Sequence, residues 1–248
     1  MELKEFFDNN PDVAIAFSGG VDSAYLLYAA KRWGRRVKAY YVKTAFQPQF
    51  ELEDAQCLAT ELGAEMEILD VDILAHKAVA DNPSDRCYHC KKRLFSAIFE
   101  AAKKDGFPVL LDGTNASDDA SDRPGMRALA ELSVRSPLRA CGLTKTQIRE
   151  LSREAGLFTH DKPAYACLAT RIPSGTPITL SMLEKTERSE DYLRQLGFSD
   201  FRIRLFGESA RLQLPESQLP LLLQHREMIL TQLRKDYKVV LLDLEVRP

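Results

Sequence analysis

The stretch Ser18-Gly19-Gly20-Val21-Asp22-Ser23 contains the residues whose types and spacing most directly suggest chemistry. An apolar run at 13–17 precedes it, and apolar residues at helical spacing follow over 22–33, so it forms a tight turn between a strand and a helix. Glycine lets the backbone approach a ligand closely, and the free N–H groups of a helix's first turn point at that ligand. Ser18 and Ser23 add hydroxyl donors. The stretch therefore predicts a pyrophosphate cradle.

This cradle differs from the usual P-loop, which needs a Lys followed by Ser or Thr after its last glycine. Val21-Asp22-Ser23 stands at that place, and Asp22 either complements the helix dipole or contacts Mg²⁺. The pattern S-G-G-x-D-S resembles the PP-loop of the ATP pyrophosphatases, a group that includes NAD and GMP synthetases, asparagine synthetase and tRNA thiolases. That resemblance implies cleavage of ATP between its α- and β-phosphates and adenylation of a substrate oxygen. An ordinary glycine turn is disfavoured, because six specified residues fall in the strand-to-helix context.

Short polar residues follow a second apolar run, at Asp112 to Asp119 and again at Asp122 to Gly125. Such groups suit a ribose, an adenylate or Mg²⁺. Ligands of parallel sheets lie beyond the carboxyl ends of the strands, so we expect Gly113 and Thr114 to face the same crevice as the cradle. Lys162 is a further candidate for a phosphate contact, and its alternative interpretation is a solvated loop lysine.

The cysteines fall into two groups. Cys87 and Cys90 form a C-x-x-C at a helix start, where a redox pair, a zinc site and an iron–sulfur site with one remote cysteine are the competing interpretations. The neighbouring lysines at 91 and 92 favour thiolate. Cys57 and Cys141 have apolar neighbours and are interpreted as packing residues.

Cys167 lies in a proline-rich stretch between Lys162 and Arg171. Cationic neighbours favour the nucleophilic thiolate, and irregular loops rarely lie in a core, so we prefer a nucleophile to a buried packing residue. On a later strand, Arg202 and Arg204 point to the same face and form either a clamp for a substrate phosphate or a solvated surface. Glu190 and its neighbour Asp191 are surface charges or partners of that site. The residues that we expect to bind substrate are Arg171, Glu190, Arg202 and Arg204.

The order of apolar runs and helical patterns predicts an α/β fold. Strands at 13–17, 37–42, 65–71 and 109–111 alternate with helices at 22–33, 50–62, 90–104 and 144–155, which is typical of a parallel sheet covered on both faces. A helix at 181–196, strands at 201–206 and 210–214, a helix at 216–235 and a strand at 239–245 predict a smaller α+β domain. We place the domain boundary after residue 176, giving domains 1–176 and 177–248.

The composition narrows the class of protein. A hydrophobic share of 45%, a charged share of 28% and a net charge of −2 are ordinary for a globular protein and disfavour a general nucleic-acid binder. Five cysteines do not form a disulfide scaffold, and the polar segment 1–11 shows no signal-peptide pattern. We expect a cytoplasmic protein that forms a homo-oligomer, spans no membrane and binds no nucleic acid.

Several motifs together resemble the LarE-type ATP-dependent sulfur transferases across nearly the whole chain. They are S-G-G-V-D-S, R-C-Y-H-C-K-K, D-G-T-N-A-S-D-D, L-T-K-T-Q-I-R-E-L, K-P-A-Y-A-C-L-A-T-R-I-P-S-G and L-D-L-E. The resemblance implies adenylation of a carboxylate of pyridinium-3,5-biscarboxylic acid mononucleotide, with ATP and Mg²⁺, during synthesis of the nickel-pincer nucleotide. A cysteine sulfur, matched by Cys167, then replaces an oxygen to give a thiocarboxylate. In the sacrificial version that cysteine becomes dehydroalanine.

Some members of the family carry a C-x-x-C besides the donor cysteine and hold a four-iron four-sulfur cluster. Cys87, Cys90 and Cys167 match that pattern, so we expect the cluster route in preference to the sacrificial one. The rival functions are an ammonia-using synthetase of the NAD or GMP synthetase kind, which does not need Cys167, and a tRNA thiolase. A non-enzymatic alternative is an ATP-binding metal or redox sensor that uses Cys87 and Cys90.

Overall fold

The computed structural model describes residues 2–118 and 124–245. The chain divides into two compact units, Met1–Ile73 with Asp85–Lys162 and Leu74–Ser84 with Pro163–Pro248. The first unit therefore ends at Lys162, whereas the boundary predicted from the sequence follows residue 176. Because the second unit also takes up the segment from Leu74 to Ser84, it is built from two separate parts of the chain.

The first unit is a parallel sheet with helices on both faces, which confirms the predicted α/β fold class. Its strands lie in the order β3-β2-β1-β4, and each neighbouring pair is parallel. The strands are β1 (Asp12–Ala16), β2 (Arg36–Lys43), β3 (Glu65–Asp70) and β4 (Val109–Leu111). The helices are α1 (Leu3–Asn9), α2 (Val21–Trp33), α3 (Gln49–Glu61), α5 (Arg86–Lys104), α6 (Pro124–Glu131), α7 (Pro137–Ala140) and α8 (Lys145–Glu154).

Alternating side chains of the central strands build two apolar cores. Val13 and Ile15 of β1 pack with α1, α2, α3 and α8 on one face, whereas Ala14 packs with α5 on the other. Since both faces of the sheet are covered, its ligand-accessible edge is the one formed by the strand ends.

Local signals fix where the helices begin and end. Gly63 and Gly156, which follow α3 and α8, have φ angles of +55° and +71°, a region that glycine enters without a steric penalty. Thr144 and Gln147 form a capping box that starts α8. The helix predicted to start at residue 90 begins instead at Arg86, so the C-x-x-C lies within the first two turns of α5.

The second unit is a three-stranded mixed sheet with helices. Its strands lie in the order β5-β6-β7, with β5 antiparallel and β7 parallel to β6. The strands are β5 (Arg202–Phe206), β6 (Ser209–Gln213) and β7 (Val239–Leu242), and the helices are α4 (Lys77–Ala80), α9 (Leu180–Gln195), α10 (Leu219–Gln224) and α11 (Arg226–Leu233). A 3-10 turn, Leu168–Arg171, directly follows Cys167.

The single helix predicted over 216–235 is wrong. A 3-10 turn, Glu216–Gln218, is followed by α10 and α11, which are separated at His225. Pro220 lies in the first turn of α10, where a missing N–H and a fixed φ favour a new helix start over continuation. None of the helices in the described ranges has the length and apolar character needed to cross a lipid bilayer.

Candidate active site

The predicted cradle joins β1 to α2. Gly19 has a φ of +73°, and a Cβ there would lie 3.1 Å from the Cβ of Ala55 in α3, so both backbone conformation and space favour glycine. Ser23, buried in the first turn of α2, donates its hydroxyl to the carbonyl oxygen of Gly20 at 3.0 Å and lies 3.0 Å from the hydroxyl of Ser18. These contacts hold the turn in a defined shape with hydroxyl groups at its mouth.

The cradle and the polar end of β4 line one cavity, as the strand-end argument predicted. Its walls come from β1, the cradle, α2, α5 and the loop after β4; the residues are Ala16, Ser18, Gly20, Asp22, Ser23, Lys91, Phe95, Asp112, Gly113, Thr114 and Asp118. A Cβ on Gly113 would lie 2.9 Å from the backbone nitrogen of Ser23, so this glycine permits close packing of the two loops. Asp119 and Asp122, also part of the predicted polar stretches, lie outside the described residues.

Asp112 is the buried carboxyl of this cavity. It accepts a 2.5 Å hydrogen bond from the hydroxyl of Ser136 and a second from the hydroxyl of Thr114. Burial raises the pKa of Asp112 above its ordinary value, although these hydroxyl donors and the charge of Lys91 oppose the shift. The carboxyl is therefore closer to protonation at neutral pH than an exposed aspartate is.

Two lysines that the sequence analysis did not place in the site lie at the cavity or its wall. Lys91 lines it from α5. Lys145, the first residue of α8, has its Nζ 2.5 Å from Oδ2 of Asp22. Thr144 and Gln147 predict the start of α8 from the sequence. The contact between Lys145 and Asp22, however, forms only when the folded sheet brings α2 and α8 together.

Lys162, predicted to contact a phosphate, lies against α3. Its Nζ is 3.0 Å from Oε1 of Glu51 and 2.7 Å from Oδ2 of Asp54, and it lies 5.6 Å from the ring centroid of Phe50. Two carboxylates thus neutralise this ammonium within the first unit. Its role toward phosphate stays a prediction.

Cys87 and Cys90 lie in the first two turns of α5, Cys87 exposed and Cys90 half-buried. Nη2 of Arg86 donates to the sulfur of Cys87 at 3.8 Å. Within residues 2–118 and 124–245, no group of three or more His, Cys, Asp or Glu side chains is arranged to hold a metal ion. The structure therefore does not support the expected cluster site.

Cys141 is half-buried and packs against the core of the first unit, as predicted, whereas Cys57 is exposed on α3, so the predicted packing role is wrong for Cys57. Desolvation and the nearby carboxylate of Glu61 raise the pKa of Cys57, and desolvation raises the pKa of Cys141. A raised pKa keeps a thiol protonated and unreactive.

In the second unit, a buried ion pair holds the loop that carries Cys167. Arg171 and Glu190 have side chains that are 1% and 0% exposed and pair in a bidentate manner, Nε to Oε1 at 2.9 Å and Nη2 to Oε2 at 3.0 Å. Nη1 of Arg171 donates to the carbonyl oxygen of Ala166 at 2.7 Å and to that of Cys167 at 3.4 Å. The Arg171 guanidinium therefore holds the backbone carbonyl groups of both Ala166 and Cys167 in place.

Glu190 accepts further hydrogen bonds besides those from Arg171. It accepts a 2.6 Å hydrogen bond from the hydroxyl of Tyr165 and a 2.9 Å bond from the backbone nitrogen of Ile203 in β5. Burial opposes charge on Arg171, but the hydrogen bonds and charge of Glu190 outweigh it and raise the pKa of Arg171. The pair therefore connects α9, β5 and the Cys167 loop through hydrogen bonds.

Arg202 and Arg204 contact the same loop. Arg202 is buried and donates to the carbonyl oxygens of Phe201 and Ala164, while Nη1 of Arg204 donates to that of Thr170 at 2.7 Å. The two side chains lie on one face of β5, as predicted, and that face is turned toward the loop instead of toward solvent. A clamp on a substrate phosphate stays a prediction for these two arginines.

The parallel sheet and the S-G-G-x-D-S turn between β1 and α2 define a PP-loop nucleotide-binding enzyme. Consistent with this, a family model described as queuosine biosynthesis protein QueC matches residues 12–93, which include the cradle. The match covers the sheet's first three strands and the start of α5.

Comparison over the whole chain specifies the family. The pyridinium-3,5-bisthiocarboxylic acid mononucleotide synthase of Lactiplantibacillus plantarum is 34% identical over 235 residues, covering 94% of this chain and 85% of that protein. An uncharacterised protein of Synechocystis is 36% identical over 98% of this chain and 92% of the relative. A tRNA-specific 2-thiouridylase of Thermotoga petrophila is 28% identical over 60% of this chain and 54% of that protein. The chain belongs to the LarE-type ATP-dependent sulfur transferases.

Proposed function

We propose that this sulfur transferase adenylates a carboxylate of pyridinium-3,5-biscarboxylic acid mononucleotide and converts it to a thiocarboxylate, with Cys167 as the position that delivers sulfur. Similarity to the named synthase over 94% of the chain supports this choice of substrate. The observation that carries the chemistry is the buried Arg171–Glu190 pair. It fixes the backbone around Cys167, in a chain that also holds a PP-loop cradle.

In the first step, a carboxylate oxygen of the substrate attacks the α-phosphorus of ATP. The bond from that phosphorus to the bridging oxygen breaks, and pyrophosphate leaves with the electron pair. Ser18, Ser23 and the N–H groups of the cradle offer hydrogen bonds to phosphate oxygens. The resulting acyl adenylate is a far better electrophile than the carboxylate, because AMP is a good leaving group.

Magnesium fits the residues of the cradle. Oδ1 of Asp22 is buried and has no hydrogen-bond partner among the described residues, and a carboxylate oxygen is the ligand that Mg²⁺ prefers. Bound there, Mg²⁺ would neutralise negative charge on the phosphates. Asp22 is the residue that we propose to hold it.

In the second step, the Cys167 thiolate attacks the activated carbonyl carbon and AMP leaves, so that a thioester joins protein and substrate. Loss of the Cα proton of Cys167 to a base and cleavage of its Cβ–S bond then release the thiocarboxylate. Dehydroalanine remains at position 167, and each chain supplies one sulfur by this route. The alternative source, a cluster held by Cys87, Cys90 and Cys167, stays a prediction.

Mass spectrometry of the intact protein, with ATP, Mg²⁺ and the mononucleotide, tests the proposal. Wild-type protein is expected to form thiocarboxylate and to lose the mass of H₂S at Cys167. Cys167→Ala should retain ATP–pyrophosphate exchange but form no thiocarboxylate. The matched control Cys141→Ala, at a half-buried thiol, should do both. A Cys167→Ala protein that still makes the full product would overturn the proposal and favour an ammonia-using synthetase.

Anaerobic reconstitution followed by iron and sulfide analysis tests the cluster route. Bound iron that disappears in Cys87→Ala, together with an unchanged mass after turnover, would establish a cluster as the sulfur source. Metal-free protein that loses sulfur at Cys167 would exclude it.

The remaining expectations concern the whole assembly. We propose a cytoplasmic homo-oligomer that acts on a small nucleotide and binds no nucleic acid, as the family resemblance and the net charge of −2 suggest. Light scattering after size-exclusion chromatography measures the oligomeric state.

A further inference from the structure

Lys162 is the last residue of the first unit and lies five residues before Cys167. Its ammonium contacts two carboxylates of α3, those of Glu51 and Asp54, at 3.0 and 2.7 Å. The side chains of Lys162 and Glu51 are 15% and 13% exposed. An ion pair so far withdrawn from solvent is screened less than a surface pair, so these contacts hold the lysine in one place.

The two carboxylates also need the lysine. Glu51 and Asp54 are three positions apart on α3, so their side chains are neighbours on the helix surface and repel each other. The ammonium of Lys162 relieves that repulsion, and the ring of Phe50, with its centroid 5.6 Å from Nζ, adds a cation–π contact. The lysine and this face of α3 therefore stabilise each other.

The backbone of Lys162 is held as well. Arg149 of α8 donates from Nη2 to the carbonyl oxygen of Lys162 at 2.9 Å and from Nη1 to that of His160 at 2.6 Å. Lys162 has a φ of −54° and a ψ of 125°, an extended conformation that the following Pro163 favours, because proline disfavours the helical region for the residue before it. These contacts fix both where the chain leaves the first unit and in which direction.

The helix that holds Lys162 also packs on the cradle. A Cβ on Gly19 would lie 3.1 Å from the Cβ of Ala55, which directly follows Asp54 in α3. A peptide chain extends at most about 3.6 Å per residue, so Cys167 lies within about 18 Å of the anchored Lys162. The start of the Cys167 loop is thus tied to an element that forms part of the nucleotide site.

We propose that Lys162 is a positioning residue for sulfur transfer, which ties the start of the Cys167 loop to the helix that packs on the cradle. This inference rests on the proposed delivery of sulfur by Cys167. It assigns Lys162 to the second step of the reaction instead of to phosphate binding. An acyl adenylate is open to hydrolysis until the thiolate attacks it, and a loop whose start cannot drift shortens that interval.

Single-turnover analysis of Lys162→Met with ATP, Mg²⁺ and the mononucleotide tests this inference. We expect ATP affinity and ATP–pyrophosphate exchange as in wild type, while the rate of thiocarboxylate formation falls about tenfold or more. Lys162→Arg, which keeps the charge, should recover most of that rate. Lys4→Met, which removes an exposed pair with Asp8, should change none of these values. Weakened ATP binding in Lys162→Met would overturn the inference and favour the phosphate contact that the sequence predicts.

Removing the carboxylates tests the same contact from α3 and leaves Lys162 in place. In the double variant Glu51→Gln with Asp54→Asn, thiocarboxylate formation should fall by a similar factor at unchanged ATP affinity. Tighter ATP binding would mean that the released lysine is a phosphate ligand, and would overturn the inference. Adding Lys162→Met to this variant should cause no further fall in rate. A further fall as large as in the wild-type background would show that Lys162 acts through another partner, which also overturns it.

Hydrogen exchange separates this inference from the proposed reaction. The N–H of Lys162 donates to the carbonyl oxygen of Thr159 at 3.2 Å, and that of His160 to Leu157 at 3.1 Å. Both amides should exchange faster in Lys162→Met, whichever reaction the protein catalyses. If they do but wild-type protein forms no thiocarboxylate, the proposed sulfur transfer fails and the anchoring by Lys162 stands. Unchanged exchange at both amides would overturn the anchoring itself.

Discussion

At the scale of single residues, the informative finding is how completely Glu190 is used. Oε1 accepts from Nε of Arg171 and the N–H of Ile203, and Oε2 accepts from Nη2 of Arg171 and the hydroxyl of Tyr165. The sequence predicts substrate contacts for Arg171, which flanks Cys167, and for Glu190 as a partner of the arginines of β5. Their burial indicates positioning of the Cys167 backbone instead.

Replacing Glu190 by Gln should therefore impair both the fold of the second unit and sulfur delivery. The NH₂ group of glutamine would face the hydrogen-bond donors that now contact the Glu190 carboxylate, and the buried charge of Arg171 would have no counter-charge. We therefore expect a loss of about 3 kcal/mol in the free energy of unfolding. Thiocarboxylate formation by the remaining folded protein should also fall, because the carbonyl oxygens around Cys167 lose their fixed partner. Urea unfolding and single-turnover product analysis measure the two effects.

Arg188→Gln is the matched control on the same helix. Arg188 pairs with Asp236 at 3.0 Å, but its side chain is 57% exposed, so its loss should cost no more than about 1 kcal/mol and leave product formation unchanged. If Glu190→Gln is as stable and as active as this control, the buried pair does not position Cys167.

At the scale of elements, apolar periodicity was sufficient to predict the strands of the first sheet and the long helices between them. Glycines with positive φ, at 63 and 156 for example, ended helices where expected. Periodicity is a local property, so it failed where tertiary contacts decide. The helix α1 was missed, and its Phe7 is fully buried against the core built by later elements.

The residues of the candidate site likewise divide into those that the sequence identifies and those that only the fold brings together. The cradle is contiguous in the sequence, and its glycines and serines identified it directly. Lys145 could not be placed there, because its contact with Asp22 exists only once the sheet brings α2 and α8 together. The orientation of Arg202 toward the Cys167 loop was likewise undecided, since alternation on a strand assigns residues to a face without saying what covers that face.

Close packing of the β4 loop on α2 gives a prediction for Gly113→Ala. The added Cβ would lie 2.9 Å from the backbone nitrogen and 3.2 Å from the Cα of Ser23, atoms that cannot rotate away. We expect the loop to shift, stability to fall by about 1–3 kcal/mol, and the affinity for ATP with Mg²⁺ to fall as the cavity changes shape. Thermal unfolding and calorimetric titration measure both.

Gly34→Ala provides a control of similar steric cost away from the cradle. There a Cβ would lie 2.7 Å from the carbonyl oxygen of Ala30, at the end of α2 opposite to the cradle. This variant should lose stability but retain nucleotide affinity. Equal nucleotide affinities in the two variants would show that Gly113 matters for folding alone.

At the scale of the whole molecule, the second unit includes the segment Leu74–Ser84, which lies far earlier in the sequence than the rest of that unit, Pro163–Pro248. Asn82 lies in this segment, is 1% exposed, and donates from Nδ2 to the carbonyl oxygens of Pro173 at 2.8 Å and Thr176 at 3.0 Å. Its own carbonyl oxygen accepts from the N–H of Gly175 at 2.8 Å. The residues that follow the Cys167 loop are thus fixed by a contact spanning about 90 positions.

Hydrogen exchange in Asn82→Gly and Asn82→Ala measures how that contact stabilises the segment. Asn82 has a φ of +55°, which glycine adopts freely and alanine adopts at a cost of about 1–2 kcal/mol. The N–H of Ile178 donates to the carbonyl oxygen of Ala80 in the same segment at 2.7 Å. Both variants lose the side-chain bonds, so the amides of Gly175 and Ile178 should exchange faster in both, and faster still with alanine. The amide of Phe17, which donates to Tyr40 within the first sheet, should keep its protection. Exchange at Gly175 that matches wild type in Asn82→Gly would mean that the side chain is dispensable, and a parallel loss of protection at Phe17 would mean that the effect is global.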